Sequence, residues 1–109
     1  MMVQTKIPTL KISVNPDKLN QAEFYHIIFA DGPKKKLEDL PLPIQINGEE
    51  FFLVDFAYSG LFELPNELIQ LSHGMWQTGY MSRMIEKYPS RFKAETVMMI
   101  CKFSKQPNL

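Results

Sequence analysis

Cysteine is nearly missing from this chain: Cys101 is the single one among 109 residues. One thiol closes no internal disulfide, which points away from a disulfide scaffold and toward a reducing compartment. Cys101 lies in the apolar run Val97-Met98-Met99-Ile100-Cys101, where a small buried hydrophobe is the default. Histidine is as scarce, with His26 and His73 alone. A zinc site takes three or four Cys, His or carboxylate ligands, and these residues show no ligand spacing. His26, between Tyr25 and Ile27, reads as a packed structural histidine, and His73, before Gly74, as a loop residue. Five glycines and no glycine-rich loop rule out a P-loop phosphate cradle. No apolar run approaches the ~18 residues of a membrane span. Met1-Met2-Val3-Gln4-Thr5-Lys6 lacks the apolar core of a secretory signal. The expectation is a cytoplasmic protein without a membrane partner, metal or cofactor. Repeats, heptads and low-complexity tracts are also lacking.

Net charge is missing too, because 12 basic and 12 acidic side chains cancel. That speaks against a polybasic nucleic-acid binder. The distribution is uneven. Residues 1–72 hold six basic and ten acidic groups and carry −4, whereas residues 73–109 hold six and two and carry +4. Such asymmetry marks a surface for an anionic partner, or two halves that neutralise each other in the fold.

What is present is a hydrophobic fraction of 45%, enough for one core. A single domain is expected over 1–109, with 1–6 and 104–109 as flexible ends. Thr9 to Val14 alternates, with Leu10, Ile12 and Val14 on one face, and predicts a half-buried strand. Residues 16–30 are open between two readings. Asn15-Pro16 suits a helix start, yet Glu23 to Phe29 also reads as a strand. Lys34 to Asp39 is a polar loop. Pro43-Ile44-Gln45-Ile46 and Glu50 to Phe56 flank Asn47-Gly48-Glu49, a hairpin signal. Leu64 to Leu71 predicts a short helix with Pro65 in its first turn. Met75 to Tyr88 predicts a second, with Trp76, Tyr80, Met81, Met84, Ile85 and Tyr88 at mostly three- and four-residue spacing. Glu95 to Phe103 predicts a closing strand. The fold class is α+β: a small, mostly antiparallel sheet or partly open β-barrel flanked by two or three helices.

Two features suit ligand chemistry. Lys34, Lys35 and Lys36 place three ammonium groups on one loop, fit for phosphate or simply solvated. Trp76 and Tyr80 beside Arg83 and Lys87 combine stacking rings with cations, the combination single-stranded nucleic acid uses. An aromatic stripe at helical spacing is more often core. The carboxylate pairs Glu38/Asp39 and Glu49/Glu50 read as solvated, and no catalytic constellation is legible. Phe51, Phe52, Leu61 and Phe62 are either core or an exposed apolar patch.

Two segments resemble ASCH domains, small PUA-like barrels. In Phe24 to Glu38 an apolar segment leads to Gly32, the lysine cluster and Glu38. In Trp76 to Phe103 a helix, Tyr88-Pro89 and a strand ending in Phe103 follow the family's closing pattern. The resemblance implies a barrel whose cleft receives RNA or a modified nucleoside. Some relatives hydrolyse acetylated cytidine with a Lys, a Thr and a Glu; here no Thr follows the lysines closely. The first functional expectation is therefore a non-catalytic module with an RNA- or nucleotide-accepting cleft, bound through Lys34, Lys35, Lys36, Glu38, Trp76, Tyr80, Arg83 and Lys87. The second is a protein-interaction factor, an inhibitor or adaptor of the kind mobile elements encode, with a homodimer through a strand edge as a variant. The third is an ASCH-like amidohydrolase.

Overall fold

Alternation sets the sheet. In the computed structural model, which describes residues 9–12, 16–31 and 34–107, the segment with two readings becomes both elements in turn. A four-residue helix α1 (Pro16–Leu19) is followed by strand β2 (Glu23–Phe29). The β-branched and aromatic side chains of 23–29 suit a pleated surface better than a helix, and the register of β2 is fixed by burying Phe24 on one face and Ile27 on the other. The Asn47-Gly48 turn joins β3 (Leu42–Ile46) to β4 (Glu49–Gly60), as its sequence predicts. Asn47 (φ 50°) and Gly48 (φ 87°) both take the left-handed conformation that a tight two-residue hairpin needs.

The strand predicted from Thr9 is short. β1 spans Thr9–Leu10 and lies parallel to β3; Ser13 and Val14 fall outside the described residues. The closing strand, β5, is Val97–Ser104. The sheet order is β1-β3-β4-β5-β2, with antiparallel ladders from β3 through β2. The expected α+β class holds. β1 and β2 are the two edges. Leu10 of β1 nevertheless packs in the same apolar cluster as Ile28 of β2, so the sheet curls without a ladder closing it among the described residues.

Of the ends expected to be loose, Ser104 pairs with Glu23 and is buried, and the Lys105 N–H donates to the Ala22 carbonyl at 2.9 Å. Ladder hydrogen bonds carry order one residue past the last apolar position, which hydropathy alone misses. Residues 1–6, 108 and 109 are outside the described set.

Two helices cover one face. α2 (Asn66–His73) starts one residue after Pro65, and Gly74 (φ 67°) caps its end in the left-handed conformation. α3 (Gln77–Lys87) follows. Ile69, Tyr80 and Met84 from these helices meet Ile27, Met98 and Ile100 of the sheet. The opposite face packs Phe24, Phe51, Leu53, Met99, Cys101 and Phe103. A bulge between Leu53 and Asp55 shifts the register of β4. Before it the odd residues Phe51 and Leu53 face this second cluster; after it the even residues Phe56 and Tyr58 do. The four candidate patch residues divide accordingly. Phe51 and Leu61 are core and Phe52 is half-buried, while Phe62 is 46% exposed and lies edge-on to Phe92 at 5.0 Å.

Candidate functional site

His73 is the last residue of α2, two residues past the predicted end at Leu71, because Gly74 stops the helix. Its ring lies 4.7 Å from that of His26 on β2 and 5.0 Å from that of Tyr80 on α3, tilted by 47° and 42°. The three rings form a column where the ends of both helices meet β2. The Ile27 backbone lies beside the His73 ring and acts to raise its pKa.

Lys18 of α1 approaches the same place. Its ammonium donates to the Ser72 carbonyl and lies 5.5 Å over the Phe24 ring. Burial lowers its pKa to about 8. Burial, the neighbouring His73 and the Lys18 charge together push His26 down to about 3. Burial first, then Lys18, brings His73 to about 4 against the raising effect of the Ile27 backbone. Both imidazoles are therefore neutral across the physiological range. Burial raises Tyr80 to about 12. Nδ1 of His26, Nε2 of His73 and Oγ of Ser72 are buried and have no hydrogen-bond partner among the described residues. An orphaned buried polar atom costs about 1–3 kcal/mol, so such atoms ask for water or a ligand.

The column forms a wall of a cleft of about 320 Å³ between β2 and α3. Lys11, Arg83 and Lys87 supply cations to its lining, and His26, His73, Tyr80 and Tyr88 supply rings. Among the described residues no acidic side chain lines it. Among the described residues, none of the three cations is in an ion pair. On the other side of His73 and Arg83 a wider hollow of about 570 Å³ is lined also by Lys18, Gln21, Gln70 and Ser72.

The eight residues singled out in the sequence divide three ways. Tyr80, Arg83 and Lys87 converge on the 320 Å³ cleft. Lys34 and Lys35 line a different cavity, of about 330 Å³, on the opposite face of the sheet. There Lys34 stands 5.7 Å over the Tyr58 ring, and the Lys35 backbone N–H donates to the Tyr58 hydroxyl at 2.9 Å. Lys36, Glu38 and Trp76 line none of these three hollows. Lys36 and Glu38 stand 3.9 Å apart in solvent, and Trp76 is the 67%-exposed residue before α3. The lysine turn and the aromatic helix thus face different cavities. The post-bulge register sends Tyr58, and the lysines over it, to the sheet face that α3 does not cover.

Sequence reasoning missed the His26–His73 contact and Lys18. Gly74 carried a readable signal, since a glycine after a helical run places His73 in the last turn. Nothing local in the sequence joins His73 to His26. Among the described residues no cluster of three or more Cys, His, Asp or Glu is arranged to hold a metal. No helix there is long and apolar enough to cross a membrane.

Fold and site together describe a small α+β domain with a curled, open sheet and a cation-lined cleft at its β2 edge. No protein-family model matches this chain, and no curated protein or solved structure matches it.

Proposed function

We propose that this protein is a non-catalytic binding module whose cleft between β2 and α3 takes a nucleotide or an unstacked nucleotide of RNA. One observation carries the reading: Lys11, Arg83 and Lys87 surround the rings of His73, Tyr80 and Tyr88 in a lining without a carboxylate. Cations attract phosphate while ring faces accept a base, whatever its identity. The volume, about 320 Å³, is at the small end of ligand pockets and fits one nucleotide rather than a duplex.

The reading extends the resemblance to ASCH domains to another set of side chains, with Arg83 and Lys87 in the role first given to the lysine turn. Catalysis is left out of the proposal. A general acid or base works best with a pKa near the operating pH, and the column's pKa values of about 3, 4 and 12 lie far from it. Among the described residues, neither a Thr nor a Glu lines the cavity of Lys34 and Lys35.

The test is a titration of the protein with AMP and with a short oligouridylate at two salt concentrations. Micromolar-to-millimolar binding that weakens as salt rises is expected. Arg83→Gln with Lys87→Gln should weaken RNA binding by about tenfold or more and flatten the salt slope by up to about two phosphate contacts. Absence of binding by either ligand at low salt sinks the proposal.

A further inference from the structure

The cavity beneath the lysine turn has a different chemistry from the cleft. Its walls are Ile28 and Phe29 of β2, Ile44 of β3, Leu53 of β4, and Met99 and Phe103 of β5. It lies inside the curl of the sheet, where the edge residues Leu10 and Ile28 both reach it. At about 330 Å³ it is large enough for a small organic ligand. Aliphatic and aromatic walls offer water few hydrogen bonds, and hollows of this kind take apolar guests.

The polar groups gather at one side. Lys34 and Lys35 line the cavity, and the Tyr58 hydroxyl joins them through the Lys35 backbone. Burial pushes the Cys101 thiol in the cavity wall up to about 12, against a smaller lowering by the Lys35 charge. Asp31, the one acid in the lining, is already occupied: Arg91 grips it with two hydrogen bonds of 3.1 and 2.6 Å. Among the described residues Lys34 and Lys35 have no ion pair. The site therefore presents an apolar hollow with two uncompensated positive charges at its rim.

We propose that this cavity binds a small aliphatic carboxylate, a medium-chain fatty acid, with its chain among Ile44, Leu53 and Met99 and its carboxylate against Lys34 and Lys35. Apolar burial supplies the attraction and charge complementarity orients the guest. Neither the cleft's cations nor its ring column takes part, so this site stands or falls independently of the nucleotide proposal.

The test uses the full chain with ¹³C-labelled Met, Ile and Leu methyl groups, titrated with sodium decanoate below its micelle concentration. The Met99, Leu53 and Ile44 methyls should shift saturably while Met84, in the nucleotide cleft, stays put. Decanol should bind about tenfold more weakly than decanoate, as should decanoate to the Lys34→Ala/Lys35→Ala variant. Those lysines are exposed, and an otherwise unchanged methyl spectrum certifies that the variant is folded. The proposal is overturned if decanoate moves no cavity methyl or moves Met84 equally. It is equally overturned if decanol matches decanoate, or if the double variant binds as tightly as the parent.

Discussion

His73 shows how one side chain takes its properties from three elements. The end of α2 places it, β2 brings the His26 ring beside it, and α3 brings Tyr80. With His26 at about 3 and His73 at about 4, both folded values lie below the ordinary 6.5. Between those values and 6.5 the unfolded chain binds more protons than the folded one, so stability rises with pH across that window. On acidification the loss begins near pH 6.5 and continues as pH falls toward 4 and 3. The melting temperature should therefore be clearly lower at pH 5 than at pH 7. The double change His26→Gln/His73→Gln should flatten that slope whatever it does to the absolute value. Asp31, held low by its Arg91 hydrogen bonds, adds an acid-labile contribution of the same sign, but in the carboxylate range. A melting curve that does not respond between pH 7 and 5 would show that the histidines are solvated in the folded state.

At the scale of elements, the hairpin turn does more than reverse the chain. The Asn47 side chain accepts from the Ile12 N–H at 3.0 Å and donates to the Ile12 carbonyl at 2.9 Å, while its own N–H bonds the Leu10 carbonyl at 3.0 Å. Asn47 thus ties the β1 segment to the hairpin, and through Leu10 and Ile12 it steadies a wall of the nucleotide cleft. Asn47→Ala should lose these side-chain bonds and also place a Cβ residue without local compensation at φ 50°. A destabilisation of about 1–3 kcal/mol is expected in urea denaturation. Amide exchange at Ile12 should accelerate more than at Ile100. The same variant should weaken nucleotide binding without touching a cation. Equal protection of Ile12 in parent and variant would remove this role for the turn.

On the scale of the whole molecule, one sheet serves two packed faces. β5 sends Met98 and Ile100 to the helices and Met99, Cys101 and Phe103 to the other cluster. Because both clusters hang on the same strand, they should unfold together. Ile69→Ala on one side should cost about 2–5 kcal/mol and Phe103→Ala on the other about 3–5 kcal/mol. Each should shift a single transition seen alike by far-UV and by near-UV circular dichroism. Two separated transitions would mean that the faces are independent. The uneven charge along the chain acts at this scale too. The basic half contributes Arg83 and Lys87 to the cleft, and none of the ten acids of residues 1–72 lines it. The halves therefore do not neutralise each other there.

Local chemistry was enough to read the hairpin, the helix from Gln77 to Lys87, the last strand and the α+β class. Asn-Gly demands one turn geometry, and a three- to four-residue apolar spacing demands a helix, whatever surrounds them. The helical spacing of Arg83 and Lys87 was legible as well, but it put both cations on the side away from the aromatic stripe, and only the packing brings them to one cleft with Tyr80. Only the tertiary structure could separate Lys34 and Lys35 from Trp76, seat Lys18 against Ser72, and stack His26 on His73. Those relations depend on which sheet face a register exposes after a bulge and on how two helices settle across an edge strand. They are long-range packing outcomes, and no periodicity within a short window encodes them.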